Sequence, residues 1–352
     1  MDTLERLLAL RPTNAAARLG HDSALPLLNP RDVLRSLETE PAAVACLQIP
    51  ADPVFAAVLR AARDVDSVLG LSIPYRPAQR EAPARSFEAL RVAAEETDHR
   101  KPIFLQAGPL RLTSLEGRAV EAAAGDVFRF IDAGFTLISL DVSMLEPEEA
   151  LQVAEVARPA IERELAIEVA PPRGASGHGA AEDLGRFLDS LARAGLRPNL
   201  VRISSRTVVP DALPGAAEPE PDFEYLREIS QTVRDQGAFL ALEDHGTPIR
   251  RLSAWAAAGV KKVDLSEPFA RRVLQVLPPD TQAALRARAQ SARMGQGELL
   301  AQLGDPLAAV TPAQRDKVEA LCYGEASDVL EAMAGNGTAS RCARFLADQA
   351  GY

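Results

Sequence analysis

Three consecutive ionisable residues, Glu243, Asp244 and His245, stand at the end of an apolar run in the second half of the chain. The run has the length and composition of a buried strand. Thr247 follows and predicts a helix start, because its hydroxyl suits the N-cap and Pro248 suits the first helical position. The three ionisable residues are therefore expected at the carboxyl end of a strand, where parallel α/β proteins carry their chemistry.

The other predicted strands also end in polar or charged side chains. Crowded carboxylates are unfavourable unless a cation or a proton neutralises them, so such a cluster suits a divalent metal or acid–base catalysis on a sugar. A structural alternative is a buried pair between strand ends, such as Arg202 with Glu168. The remaining candidates at strand ends are Gln106, Asp141, Ser143, Ser204, Asp264 and Ser266.

Two neighbouring helix starts suit a phosphate group. One is predicted at Gly246-Thr247 and the next near Ser266, and adjacent helix N-termini with small hydroxyl residues form an anion site. Simple capping by Thr247 and Ser266 is the alternative interpretation.

Lys261 and Lys262 could in principle form a Schiff base with a carbonyl substrate. They begin the eighth predicted strand and are therefore expected near its amino end, away from the substrate side. This position argues against a Schiff-base lysine there.

A repeating pattern of short apolar run, loop and amphipathic helix must position these residues. Eight such units with right-handed crossovers predict an α/β fold, a (β/α)8 or TIM barrel, over residues 41–284. An open doubly wound sheet is the alternative, but it should carry a glycine-rich loop after its first strand, and none is present. Residues 1–40 are predicted as a helical lead-in and residues 285–352 as a helical C-terminal extension. The predicted strands are Val44–Ile49, Ser67–Ile73, Ile103–Gln106, Leu137–Val142, Ala166–Ala170, Leu200–Ser204, Phe239–Glu243 and Lys262–Leu265.

Composition argues against several kinds of partner. The net charge is −10 and the pI is about 5.1, so no basic surface is available for a nucleic acid or an anionic membrane. No apolar run reaches the roughly 18 to 20 residues of a transmembrane helix and no signal segment is recognisable, so we expect a cytoplasmic protein. The scattered Cys46, Cys322 and Cys342 are expected to be reduced packing residues. We expect no nucleotide cofactor.

Several short segments resemble the class II aldolases. Residues 131–143 resemble the aldolase segment in which an Ala-Gly-Phe turn precedes a strand ending in Asp-x-Ser. The stretch around Glu168 resembles their fifth strand, which a glycine-rich mobile loop follows. His245-Gly246 and residues 259–267 resemble the His-Gly loop and the phosphate region of their last two strands.

Within that superfamily the chain is most similar to the accessory, non-catalytic subunit of tagatose-bisphosphate aldolase. That subunit also has a Glu-Val-Pro stretch after its fifth strand and a Glu-Asp pair at the next helix. The matching positions here are Glu168-Val-Ala-Pro and Glu182-Asp183, and the resemblance covers roughly residues 40 to 275.

The chain departs from the catalytic class II aldolases at their metal ligands. Those enzymes carry an Asp-His pair at the end of the third strand and a zinc-binding histidine at the end of the sixth. Here Gln106-Ala107 and Ser204 stand at these places, and His245 is the one remaining imidazole of three. Asp264 replaces an asparagine that binds the substrate.

The resemblance implies a sugar-phosphate substrate and either carbon–carbon lyase chemistry or isomerase or epimerase chemistry through an enolate. The expected cofactor is a divalent metal, zinc, magnesium or manganese, and a site with one imidazole suits the last two better than zinc. The catalytic candidates are Glu168, Asp141, Glu182, His178 and Gln106; the substrate and phosphate candidates are Ser143, Arg202, Ser204, Gly246, Thr247, Asp264 and Ser266; the metal-ligand candidates are His245, Glu243 and Glu168.

Two further functions stay open. One is a non-catalytic accessory subunit that stabilises or regulates a catalytic aldolase subunit, with the helical extension supplying contacts in a homo- or hetero-oligomer. The other is a metal-free barrel lyase or isomerase that relies on its carboxylates and Arg202.

Overall fold

A closed barrel of eight parallel strands forms the centre of the molecule in a computed structural model, which describes residues 2–74, 81–172, 180–209, 220–292, 300, 307 and 310–350. Each strand pairs with the next along the chain and the last pairs with the first, which confirms the predicted (β/α)8 fold. The strands are β1 (Val44–Gln48), β2 (Leu69–Ile73), β3 (Ile103–Arg111), β4 (Leu137–Asp141), β5 (Ala166–Ala170), β6 (Leu200–Ser204), β7 (Phe239–Asp244) and β8 (Lys262–Leu265).

Helices surround the barrel and flank it at both ends of the chain. The helices before the barrel are α1 (Thr3–Ala9), α2 (Thr13–Leu19) and α3 (Pro30–Ser36). Those within it and directly after β8 are α4 (Pro53–Val65), α5 (Ala82–Glu96), α6 (Arg118–Asp132), α7 (Pro147–Ala150), α8 (Val153–Ile161), α9 (Ala180–Arg193), α10 (Phe223–Asp235), α11 (Leu252–Ala257) and α12 (Glu267–Val276). The described helices of the C-terminal extension are α13 (Pro279–Ala292), α14 (Pro312–Ala332) and α15 (Thr338–Gln349). None of the described helices is long and apolar enough to cross a membrane.

The amino end of the barrel is closed by helices from both ends of the chain. Helix α15 contacts both α1 and α3, and apolar side chains of the three helices pack against the inward-facing side chains nearest the amino ends of the strands. The cluster includes Leu7, Leu34, Cys342 and Leu346 from the helices and Val44, Phe104, Leu137 and Leu200 from the barrel. The opposite, carboxyl end, which we call the mouth, is left as the place for a ligand.

The helix after β7 begins later than the sequence predicts. Thr247 is not its N-cap, because a 3₁₀ turn over Ile249–Arg251 comes first and α11 begins at Leu252. The physical reason lies in Asp244, whose carboxylate accepts hydrogen bonds from the amides of Gly246 and Thr247 and holds these residues in a turn.

Strand register decides which side chains enter the barrel. Ser139 pairs with Glu168, Ala241 pairs with Lys262, and Glu243 pairs with Asp264. Because side chains alternate along a strand, these positions face inward and their neighbours in sequence face outward. The three cysteines are free and buried, which confirms their prediction as reduced packing residues.

Candidate functional site

An ammonium group lies at the centre of the barrel. Lys262 begins β8, as predicted, but its side chain runs inside the barrel toward the mouth, where Nζ donates to Glu168 Oε2 at 2.6 Å and to Asp264 Oδ2 at 2.7 Å. The expectation that this lysine lies away from the polar cluster is therefore wrong. The neighbouring Lys261 faces outward and donates to the carbonyl oxygens of Leu37 and Glu40.

A guanidinium group joins three carboxylates above this ammonium. Arg202 on β6 lies 3.1 Å from Asp141, 3.1 Å from Glu243 and 3.6 Å from Glu168. Its side chain is only 2% exposed, so the guanidinium itself is shielded from water. The pair between Arg202 and Glu168, considered above as a structural alternative, is thus present within a larger network.

The network keeps Lys262, Arg202 and Asp141 ionised. Burial opposes the charge on Lys262 and on Arg202, but the surrounding carboxylates outweigh this and raise the pKa of both groups above their ordinary values. Burial likewise works to raise the pKa of Asp141, but Arg202, Ser143 and Arg111 together lower it below its ordinary value. Asp141 is therefore a fixed anion near neutral pH.

Two carboxylates of the network are the most open to the mouth. Glu243 has a side chain 28% exposed and Asp264 one 13% exposed, whereas Glu168 is fully buried. Glu243 and Asp264 are register partners on β7 and β8, and each is bound through one oxygen to a buried cation. Oδ1 of Asp264 is buried and has no hydrogen-bond partner among the described residues.

Sequence reasoning missed three inward-facing residues of this centre. Ser139 donates to Glu168 Oε1 at 2.6 Å, and Cys46 donates to Gln106 Oε1 at 3.5 Å, deep in the barrel. Lys262 is the third. Each lies two residues from an inward-facing strand residue, so strand alternation is the signal that finds them.

Two of the three predicted serines take part in local hydrogen bonds. The backbone N–H of Ser143 donates to Asp141 Oδ1 at 3.0 Å, which fixes the carboxylate that Arg202 contacts. The hydroxyl of Ser204 accepts from the N–H of Arg206 at 3.3 Å and caps the short 3₁₀ turn after β6.

The predicted metal ligands do not fit a divalent ion. Both oxygens of Glu168 are bound to Ser139 and Lys262, and Glu243 is bound to Arg202. His245 is exposed, because β7 ends one residue earlier and the strand alternation that would have turned it inward stops there. Within the described ranges, no group of three histidine, cysteine, aspartate or glutamate side chains could hold a metal.

A cavity of about 550 Å³ lies beside the mouth, between the ends of β7 and β8 and helices α12 and α14. The three predicted phosphate residues, Gly246, Thr247 and Ser266, all line it. The amides of Gly246 and Thr247 are already bound to Asp244 Oδ2, at 2.9 and 3.0 Å. Two arginines supply positive charge at this cavity.

Those arginines are Arg250 and Arg271, and neither forms an ion pair with another residue that the structure describes. The third arginine of the lining, Arg272, is paired with Glu325 on α14 at 2.5 Å. The lining also carries four carboxylates, so any anion binding here depends on these two guanidinium groups; the carboxylates are Asp244, Glu267, Glu325 and Asp328.

One predicted acid–base residue, Glu182, is not joined to the network. Glu182 is exposed in the first turn of α9. His178 lies outside the described residues.

Solved aldolase structures share this fold. The chain superposes on the YdjI aldolase from Escherichia coli K12 with a TM-score of 0.62 and 12% identity, over 89% of this chain and 99% of the other. It superposes on the fructose-bisphosphate aldolase of Campylobacter jejuni with a TM-score of 0.62 and 11% identity, over 88% and 96% of the two chains. Identities this low show the fold alone. No protein-family model and no curated protein sequence matches the chain.

Proposed function

We propose that this chain is a metal-independent, aldolase-like barrel that acts on a phosphorylated, sugar-like compound by acid–base chemistry at the mouth. The observation that carries the proposal is the register pair of Glu243 and Asp264, two carboxylates at the mouth that are each tied to a buried cation. Lysis of a carbon–carbon bond and isomerisation or epimerisation beside a carbonyl both need such proton-transfer groups.

The two carboxylates have different tasks in this proposal. Glu243 is the more exposed and removes a proton from a substrate hydroxyl or from the carbon beside the carbonyl. Asp264 orients the substrate, because its carboxylate is partly exposed at the mouth and can accept a hydrogen bond from a hydroxyl. Negative charge that develops on the carbonyl oxygen lies in the field of Arg202, a fixed cation in a site of low dielectric.

The cavity beside the mouth would receive the phosphate. Arg250 and Arg271 would balance its charge, and the hydroxyls of Thr247 and Ser266 would donate hydrogen bonds. Since Asp244 already occupies the nearby amides, the arginines carry the anion binding. A substrate that spans both places has a phosphate at one end and a hydroxy-carbonyl group at the other.

Binding calorimetry with phosphorylated hexoses and pentoses tests this proposal. We expect Arg271→Ala and Arg250→Ala each to weaken binding about tenfold or more, the loss of one charge-assisted contact. Arg186→Ala, on the outer face of α9, is the matched control and should bind as the wild type does. Equal affinity of all three variants, or of the phosphorylated and unphosphorylated sugar, would contradict it.

A second candidate function is the non-catalytic accessory subunit. It is favoured by Gln106-Ala107 and Ser204, which replace the aldolase metal ligands, and by a barrel centre in which each carboxylate is already paired with Arg202 or Lys262. Mixing with a catalytic class II aldolase, followed by size-exclusion chromatography, separates the candidates. A stable complex whose activity is unchanged by Glu243→Gln would favour this second function over the first.

A further inference from the structure

Two carboxylates and a thiol from three strands surround the ammonium group of Lys262. Glu168 on β5 lies at 2.6 Å and Asp264 on β8 at 2.7 Å. The thiol of Cys46 on β1, opposite Asp264 in the register, is close enough to interact electrostatically with the same ammonium. Lys262 and Glu168 are both fully buried.

The side chains around the Lys262 ammonium are of the types that bind metal ions. Two carboxylates and a thiol are groups that commonly bind divalent ions such as zinc, and carboxylates alone suit manganese or magnesium. Without a positive charge beside them, the two largely buried carboxylates would be strongly unfavourable. The ammonium therefore stands where a bound cation would otherwise be needed.

The partners of Lys262 differ from those of the adjacent Lys261, although both lysines are buried. Lys261 is nearly as buried as its neighbour, yet it donates to two backbone carbonyls at the closed end of the barrel. Only Lys262 lies among carboxylates, and Asp264, one of them, reaches the mouth. Arg202 lies on the far side of Glu168 at 3.6 Å, and Glu243 and Asp141 face that guanidinium rather than the ammonium.

We infer that Lys262 is a built-in cation: its ammonium fills a cation site formed by Glu168, Asp264 and Cys46, and it positions Asp264 without a bound metal. Among the described residues no group of three histidine, cysteine, aspartate or glutamate side chains could hold a metal, Glu168, Asp264 and Cys46 included, and the built-in ammonium gives this a physical cause. The charge that a metal would bring is already present as a side chain. The inference depends on contacts within the barrel and holds whether or not the proposed reaction is correct.

Removal of the lysine side chain tests this inference directly. Lys262→Ala leaves a space lined by two carboxylates and a thiol, so the full-length variant should bind one Zn²⁺ or Mn²⁺ ion in calorimetry and gain thermal stability when the metal is added. Lys261→Ala is the matched control and should show neither effect. If Lys262→Ala binds no more metal than the control and no added cation stabilises it, the inference is wrong.

A second pair of variants covers the case in which Lys262→Ala does not fold. Lys262→Gln keeps most of the side chain and removes the charge, so it should lower the melting temperature strongly. Adding Glu168→Gln should restore most of that loss, because the carboxylate left without a cation is removed. If the two substitutions instead lower the melting temperature additively, the inference is wrong, because Glu168 then does not depend on the charge of Lys262.

Discussion

Arg202 and Glu243 face each other across strands β6 and β7, with Nη1 of the arginine 3.1 Å from Oε2 of the glutamate. The same guanidinium also contacts Asp141 on β4 and Glu168 on β5. One buried cation thus joins four strands at the level where the barrel opens. The carboxylates at the mouth are therefore held in place by the barrel rather than by its loops.

Loss of this cation should be strongly destabilising. We expect Arg202→Met to lower the free energy of unfolding by about 3 to 5 kcal/mol, because buried carboxylates lose their counter-charge. Urea denaturation measures this. Arg158→Met removes an exposed ion pair with Glu155 on α8 and should change stability by less than about 1 kcal/mol. Similar losses of unfolding free energy in the two variants would show that the buried carboxylates do not need Arg202 for stability.

His99 should make stability depend on pH. Burial lowers its pKa to about 4, and the unfolded chain has an ordinary histidine pKa of about 6.5. Below the unfolded value the unfolded chain binds a proton that the folded chain does not, so stability is lost as pH falls from 6.5 toward 4. Between pH 7 and pH 5 we expect this residue to contribute a loss of about 2 kcal/mol.

Denaturation of wild type and His99→Asn at both pH values checks the prediction. In His99→Asn the free energy of unfolding should fall less between pH 7 and pH 5 than it does in the wild type, whatever the stability of the variant at pH 7. His21→Asn, at an exposed position, should keep the wild-type slope. An unchanged slope in His99→Asn would show that the residue does not titrate as proposed.

Asp244 should have opposite effects on stability and anion binding. Asp244→Ala removes the acceptor for the amides of Gly246 and Thr247, with an expected loss of about 2 kcal/mol. The freed amides and the lost negative charge should tighten the binding of inorganic phosphate in calorimetry. Asp222→Ala removes a comparable cap on α10, where Asp222 accepts from the N–H of Tyr225, and should lower stability without changing phosphate affinity. Weaker phosphate binding in Asp244→Ala would count against an anion site here.

The closed amino end of the barrel leaves no room for a side chain at Gly70. A Cβ there would overlap the ring of Phe104, so Gly70→Ala should lower the free energy of unfolding by about 1 to 3 kcal/mol. Gly125 on α6 has open space around it, and Gly125→Ala should instead raise stability by about 0.5 to 1 kcal/mol through helix propensity. Thermal denaturation of both variants checks this prediction. A Gly70→Ala variant as stable as the wild type would show that the ring of Phe104 can move aside.

The sequence was sufficient to predict the barrel. Strand periodicity gave the bounds of β5, β6 and β8 as the structure has them, because each is a short apolar run between clear breaks. The C-terminal extension proved to be part of the barrel's packing, with α14 against α4 and α15 against α1. Such long-range packing has no local signal in the sequence.

The site was less predictable than the fold, because the exact register and ends of the strands decide which side chains face into the barrel. Lys261 and Lys262 are adjacent, and only the strand register determines which one enters the barrel. His245 looked like part of the alternating strand, but β7 ends at Asp244 and the imidazole is left exposed. An error of one residue in a strand end thus moves a side chain from one face of the barrel wall to the other.

Turnover by chelator-treated protein is the most direct test of the proposed metal-independent reaction at Glu243. Purified wild type, treated with a chelator, would be assayed against phosphorylated ketoses and aldoses, with Glu243→Gln beside it. We expect the wild type to cleave or isomerise at least one of them, and the variant to lose about a hundredfold or more in kcat, the usual effect of removing an acid–base group. Activity that vanishes with chelator and returns with added zinc, or equal rates in the two proteins, would contradict the account.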